Sequence, residues 1–225
     1  MQTALEKLLG LSSDEIVPLD VDIAQVQEFF QTWRELGQEL GSLLTVRNGF
    51  WAYESSLLVR PFSNGVAPLG IVQWNDKELW KGKYACDLDA VLFFAEDAFG
   101  CQYCIFDDAV RFFDPETCQF EELAASLEGW AGLVLEDYEY RTGYPLAHAW
   151  QAQNYPLRPG TRLLPNLPFV LQGRYELENL HVGDDVEGMI FRASIANQIR
   201  DIPDGSQIVL DLVNRTALSE NSDGN

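Results

Sequence analysis

Three short apolar runs near the middle of the chain predict neighbouring β-strands. The runs cover residues 91–94, 103–106 and 110–113, and each has the length of a strand. The pair Asp107-Asp108 separates the second run from the third, and the segment 114–117, with proline second, follows the third. Both segments are typical of tight turns. Because such short connections join antiparallel neighbours, the pattern predicts an antiparallel meander.

Segments with helical spacing flank these strands. Apolar residues recur at the spacing of an amphipathic helix over 20–46 and again over 120–139. Residues 51–62 have the pattern of one further strand. The sequence therefore predicts an α+β fold, in which a mixed, mainly antiparallel sheet is flanked by helices.

The character of the chain changes after residue 140. Four prolines within 155–168 indicate a linker-like loop. Beyond it, the pattern predicts short strands at 169–171, 186–191 and 208–213 and a helix at 193–200. We expect a first domain over 1–150, a small α+β C-terminal extension over 151–214 packed on it, and a disordered tail over 215–225.

Charge is concentrated on the predicted meander. The chain has a net charge of −20, and residues 87–139 hold 14 acidic residues and one basic residue, Arg111. This balance argues against nucleic acid and against an anionic membrane surface as partners, because both attract Lys and Arg. It favours either a basic protein partner or a solvated acidic surface without a partner.

The composition predicts a soluble, cytoplasmic protein. Hydrophobic residues make up 47% of the chain, yet no apolar run reaches the ~20 residues of a membrane helix. The N-terminal segment is too acidic for a secretory signal. Trp74 and Trp80 are flanked by lysines, and the sequence leaves open whether they anchor an interface or cover one end of the sheet.

The cysteines and histidines give no catalytic or metal-binding motif. We expect Cys86, Cys101, Cys104 and Cys118 to be reduced, semi-buried side chains. A zinc site needs about four ligands, and the pair at 101 and 104 supplies two, which would point to opposite faces of a strand. The sequence thus predicts no metal and no cofactor, and no enzymatic activity.

A family resemblance appears in the order of these elements. A helix running into Asn48-Gly49, a strand, the segment Phe-Phe-Ala-Glu-Asp-Ala-Phe-Gly at 93–100, a Phe-Asp hairpin at 106–108 and a closing acidic helix with Gly129-Trp130 resemble the SUKH superfamily. This family includes a yeast cell-wall-synthesis regulator and many bacterial immunity proteins. The resemblance covers roughly 20–140 and implies a mixed sheet flanked by helices. It also implies a protein that neutralises a cognate polymorphic toxin by direct binding.

The acidic residues beside the predicted turns are the expected contact face. A toxin that cuts nucleic acid needs a basic cleft, which an acidic surface could fill with a fast, salt-sensitive association. The predicted contact residues are Glu96, Asp97, Asp107, Asp108, Asp114 and Glu116. Two alternatives remain: a regulatory or scaffold module that binds other proteins, and a hydrolase that uses a pair of carboxylates.

Overall fold

The predicted meander is the middle of a six-stranded antiparallel sheet. A computed structural model describes residues 2–18, 23–63, 68–203 and 205–206. The strands lie side by side in chain order: β1 (Phe50–Ala52), β2 (Leu57–Val59), β3 (Leu92–Glu96), β4 (Gln102–Phe106), β5 (Ala109–Asp114) and β6 (Gln119–Ala124). Each pairs antiparallel with its neighbour. The predicted α+β class and the central meander are confirmed.

A second sheet and the helices complete the fold. The second sheet is the antiparallel pair β7 (Thr161–Pro165) and β8 (Leu180–Asp184). The helices are α1 (Ala4–Gly10), α2 (Ile23–Phe30), α3 (Arg34–Val46), α4 (Ile71–Trp74), α5 (Leu127–Glu136), α6 (Tyr138–Thr142), α7 (Tyr144–Gln153) and α8 (Asp185–Ile199). Among the described residues, no helix is long and apolar enough to cross a membrane.

Both faces of the central strands are buried. On one face, Leu92 and Phe94 pack with residues of α1, α3 and α5. On the other face, Phe93 packs with Trp80 and with Met189 of α8. Because helices cover both faces, these strands are continuous apolar runs and not alternating ones. Helix α8 is therefore part of the core that the central sheet requires.

Two predicted helices differ from the structure. The segment predicted as one helix over 120–139 begins as the edge strand β6, and α5 starts only at Leu127, where Ser126 caps it. The predicted helix over 20–46 is divided into α2 and α3 by a 3₁₀ turn, after which Arg34 has a positive φ of 49°. Residues 19–22 lie outside the described part of the chain.

Several predicted strands and loops are also wrong. The single strand expected over 51–62 is the hairpin of β1 and β2. The expected strand at 186–191 belongs to α8, and the one at 169–171 is a 3₁₀ turn. Part of the proline-rich segment forms β7. The strand predicted at 208–213 and the predicted tail lie outside the described residues.

Two of the four cysteines differ from expectation, and the two tryptophans whose role the sequence leaves open lie in the core. Cys86 and Cys118, 32 residues apart, form a disulfide, which corrects the prediction that all four cysteines are reduced. The β5–β6 turn carries Cys118 to the loop that holds Cys86, and the sequence spacing gives no sign of this approach. Trp74 and Trp80 are fully buried, so both are core residues.

Candidate functional site

The six predicted contact residues lie at opposite ends of the meander. Asp107 and Asp108 occupy the β4–β5 turn, whereas the other four lie where β3 ends and where β5 turns into β6. A strand of five to six residues separates the two ends by about 17–20 Å. The six residues therefore lie in two groups, one at each end of the meander.

Three of the six are also buried. Glu96 is 1% exposed, Asp97 4% and Glu116 3%. A buried carboxylate is tolerated only where hydrogen-bond donors or positive charges compensate its lost hydration. Each of the three has such partners, as the next paragraphs describe, so none of them belongs to an exposed surface.

Glu96 is the centre of a buried charged cluster that joins the two sheets. Its Oε1 accepts from Nε of Arg162 on β7 at 2.7 Å, and its Oε2 accepts from Nη2 of Arg60 at 2.9 Å and from Gln102 at 2.8 Å. Arg60 also contacts Asp185 at 3.2 Å. Burial alone would raise the pKa of Glu96, but Arg162 and Arg60 outweigh it and hold that pKa below its ordinary value.

Asp97 shapes the turn between β3 and β4. Its Oδ1 accepts from the backbone N–H groups of Phe99 at 2.9 Å and Cys101 at 2.8 Å. Gly100 completes this turn with φ +76°, where a Cβ would also meet the guanidinium of Arg192 at 2.8 Å. Burial raises the pKa of Asp97 to about 7, although the two N–H groups act in the opposite direction.

A pocket of about 520 Å³ opens at this end of the sheet. It lies between the β3–β4 turn, the β5–β6 turn, the segment of α6 and α7, and the C-terminal region. Its charged lining residues are Asp97, Asp114, Glu116, Glu121, Glu139, Arg141 and Arg192, and its aromatic ones are Phe99, Phe112, Tyr140, Phe169 and Tyr175. The pocket thus brings together three of the six predicted residues with others from the far end of the chain.

Glu116 lines this pocket with one carboxylate oxygen unpaired. Its Oε2 accepts from the backbone N–H of Val170 at 2.8 Å. Its Oε1 is buried and has no hydrogen-bond donor among the described residues. Burial raises the pKa of Glu116, and the nearby backbone N–H groups of Val170 and Phe169 only partly oppose this. Such an unmet acceptor costs about 1–3 kcal/mol, which marks it as a place for a ligand or water.

The two arginines of the pocket are already bound. Arg192 donates to the carbonyl oxygens of Phe99 at 2.8 Å, Gly100 at 3.3 Å and Gly188 at 3.1 Å. Arg141 lies 3.6 Å from the carboxylate of Glu121. Acidic groups outnumber these two cations, so the pocket favours a positively charged occupant.

Stacked aromatic rings form one wall of the pocket. Phe169 and Tyr175 are parallel, with centroids 3.8 Å apart and planes inclined by 6°. Phe99 meets both rings edge-on, at 5.7 and 5.6 Å. Tyr140 and Tyr175, at the rim, are 74% and 60% exposed. Sequence analysis missed this wall because Phe169 and Tyr175 lie in a segment with no recognisable motif.

The described residues give neither a set of metal ligands nor a reactive thiol at the site. Within the described part of the chain, no three side chains of His, Cys, Asp or Glu are placed to hold a metal ion. Cys101 lines the pocket, but burial and nearby carboxylates, led by Asp97, raise the pKa of its thiol well above the ordinary value. A thiol that stays protonated is a poor nucleophile.

The comparisons with known proteins identify a shared fold. No family model and no curated protein matches this chain. The crystal structure of Atu4351 from Agrobacterium tumefaciens is similar, with a TM-score of 0.56 and 15% sequence identity over 82% of this chain and 84% of that one. Residues 1–150 are about two thirds of the 225 residues, so the shared fold extends into the C-terminal region. At this identity the likeness concerns the fold alone.

Proposed function

We propose that this protein is a non-enzymatic, cytoplasmic immunity protein that binds a basic bacterial toxin and blocks it. The observation that carries the proposal is the acidic, aromatic-walled pocket, whose lining includes Glu116 with its unpaired carboxylate oxygen and two exposed tyrosines. Exposed aromatic residues beside a pocket are typical of protein-binding hot spots. The resemblance to the SUKH superfamily supports inhibition by direct binding.

The distribution of positive charge supports the same proposal. Arg60, Lys81, Arg162 and Arg192 are all buried. Four acidic residues, Glu96, Asp97, Glu116 and Asp185, are buried as well, so the buried acids and bases of the described residues are equal in number. The net charge of −20 therefore remains on the rest of the chain, where it would attract a basic partner over a distance of about one Debye length.

The direct test is protection from a toxin. The product of the neighbouring open reading frame is expressed in a laboratory bacterium with and without this protein, and growth is followed. We expect growth only when both are present, and a 1:1 complex whose association slows as salt is added. Growth arrest that this protein does not relieve, for the products of both neighbouring frames, would contradict the proposal.

A carboxylate hydrolase is the second candidate, and one observation favours it. The pocket holds Asp97, with a pKa raised to about 7, together with Asp114 and Glu116. Hydrolases of glycosidic bonds pair a carboxylic acid that stays protonated near neutral pH with a second, ionised carboxylate. Screening the purified protein and its Asp97→Asn variant against chromogenic glycosides and phosphodiesters tests this candidate. Turnover by the wild type that the variant lacks would replace the immunity proposal.

A further inference from the structure

The pocket has the features of a site for one organic cation. Its acidic residues outnumber its arginines. Arg192 donates to carbonyl oxygens, and Arg141 pairs with Glu121. The pocket's remaining charge is therefore negative. The aromatic wall of Phe169 and Tyr175 adds rings that attract a cation as well as an apolar side-chain stem.

Glu116 supplies the group that such a cation would meet. The side chain is held in place from behind, since Val170 donates to Oε2. The second oxygen, Oε1, is buried without a donor in the described structure. An ammonium or guanidinium group carries several N–H donors, so its arrival would satisfy this oxygen and compensate the buried charge.

We propose that this pocket receives a cationic side chain, arginine or lysine, from the partner polypeptide. This inference rests on the proposed function and names the chemistry that the partner must present. A volume of about 520 Å³ holds such a side chain together with the flanking backbone. The exposed Tyr140 and Tyr175 at the rim favour a polypeptide over a free amine, because they offer contact area beyond the pocket itself.

The test compares the affinity for two peptides that have nearly the same shape and differ in charge. The full-length protein is titrated with an acetylated and amidated Ala-Arg-Ala peptide and with the same peptide carrying citrulline, which is neutral and nearly isosteric with arginine. Binding is followed by calorimetry or by NMR shifts. We expect the arginine peptide to bind at least about tenfold more tightly than the citrulline peptide, as for a charge-assisted hydrogen bond that replaces a neutral one.

Two variants locate the effect. Glu116→Gln retains an oxygen for the N–H of Val170 and removes the charge, so we expect it to fold normally and to reduce the preference for arginine about tenfold. Glu122→Gln is the matched control, because Glu122 is exposed on β6, the strand that follows the turn of Glu116, pairs with Arg111 and does not line the pocket. Equal affinity for the two peptides, no binding below about 10 mM, or equal losses in the two variants would overturn the inference.

The same proteins separate this inference from the proposed function. Protection from the toxin without selectivity between the two peptides would overturn the assignment of the pocket and leave the immunity function standing. Selectivity for the arginine peptide without protection from either neighbouring gene product would overturn the immunity function and leave the assignment of the pocket standing.

Discussion

Nε of Arg162 donates to Oε1 of Glu96 over 2.7 Å, and this contact joins the two sheets. Both side chains are 1% exposed. The backbone follows the same connection, since the N–H of Leu163 donates to the carbonyl of Ala98 at 2.9 Å. Glu96 thus depends on a cation that the chain supplies 66 residues later.

Removal of Arg162 should destabilise the protein strongly. Arg162→Ala leaves Glu96 with one guanidinium instead of two, and loss of one partner from a buried ion pair costs about 3–5 kcal/mol. The free energy of unfolding in urea measures this cost. Arg174→Ala is the control, because Arg174 is 79% exposed and its pair with Glu176 should contribute less than about 1 kcal/mol. Similar losses of unfolding free energy in the two variants would show that the buried ion pair contributes no more than an exposed one.

The pKa of Asp97 predicts a stability that falls as the pH rises. Folding raises this pKa from an ordinary value of 3.8 to about 7, so the folded state holds more protons between these two pH values. Stability from this group is complete below pH 4 and is lost as the pH rises toward 7, by up to roughly 4 kcal/mol.

Asp97→Asn isolates this effect. The amide oxygen can still accept from the N–H groups of Phe99 and Cys101, but the side chain no longer titrates. Glu96, with its lowered pKa, acts in the opposite direction, and the raised pKa values of Glu116 and Asp185 act in the same direction. Because these three remain in both proteins, we compare the two stability profiles between pH 4 and 8. Parallel profiles would show that Asp97 is ionised throughout.

The bond between Cys86 and Cys118 should be detectable and stabilising. It closes a loop of 32 residues, for which chain-entropy arguments give about 3–4 kcal/mol. We expect alkylation under non-reducing conditions to label only Cys101 and Cys104, and Cys86→Ser to lower the unfolding midpoint. Cys101→Ser serves as the control. If all four thiols are alkylated in the unfolded, unreduced protein, the disulfide has not formed in the cells that produced it. This is the result expected in a reducing cytoplasm.

The two ends of the meander should contribute unequally to partner association. Glu121→Gln with Glu139→Gln removes two charges at the pocket, and Asp107→Asn with Asp108→Asn removes two at the opposite end. Asparagine suits the positive φ of Asp107 and Asp108, so the control variant should fold. At low salt we expect the first pair to slow association with the toxin about tenfold and the second to change it little. If both double variants slow association equally, the overall charge of the protein, and not the charge at the pocket, attracts the toxin.

The sequence predicted the parts of the fold that rest on local signals. The central strands end at turn residues such as Asp107, and apolar runs between turns are recognisable without the rest of the chain. The hairpin of β1 and β2 was missed because its turn has Tyr53, Glu54 and Ser55 at positive φ, where Gly or Asn would have been the signal. The apolar run at 186–191 predicts a strand but belongs to α8, because a short apolar run does not distinguish a strand from a buried helix segment.

The candidate site was predictable only in part. Asp97, Asp114 and Glu116 were expected at the site because acidic residues beside turns are visible in the sequence. Asp97 and Glu116 are buried and not part of an exposed face, since the residues that cover them come from much further along the chain. Arg192 and Phe169 are examples, and no local pattern places either of them at the β3–β4 turn.

The ion pair between Glu96 and Arg162 also bears on how such a gene can change. A rearrangement that separated the codons for the first 150 residues from those that follow would leave a carboxylate at the sheet junction without its closest cation. It would also remove α8, which packs on the side of the sheet where Phe93 lies. A C-terminal region taken from another protein would therefore have to bring both an equivalent arginine and an equivalent helix.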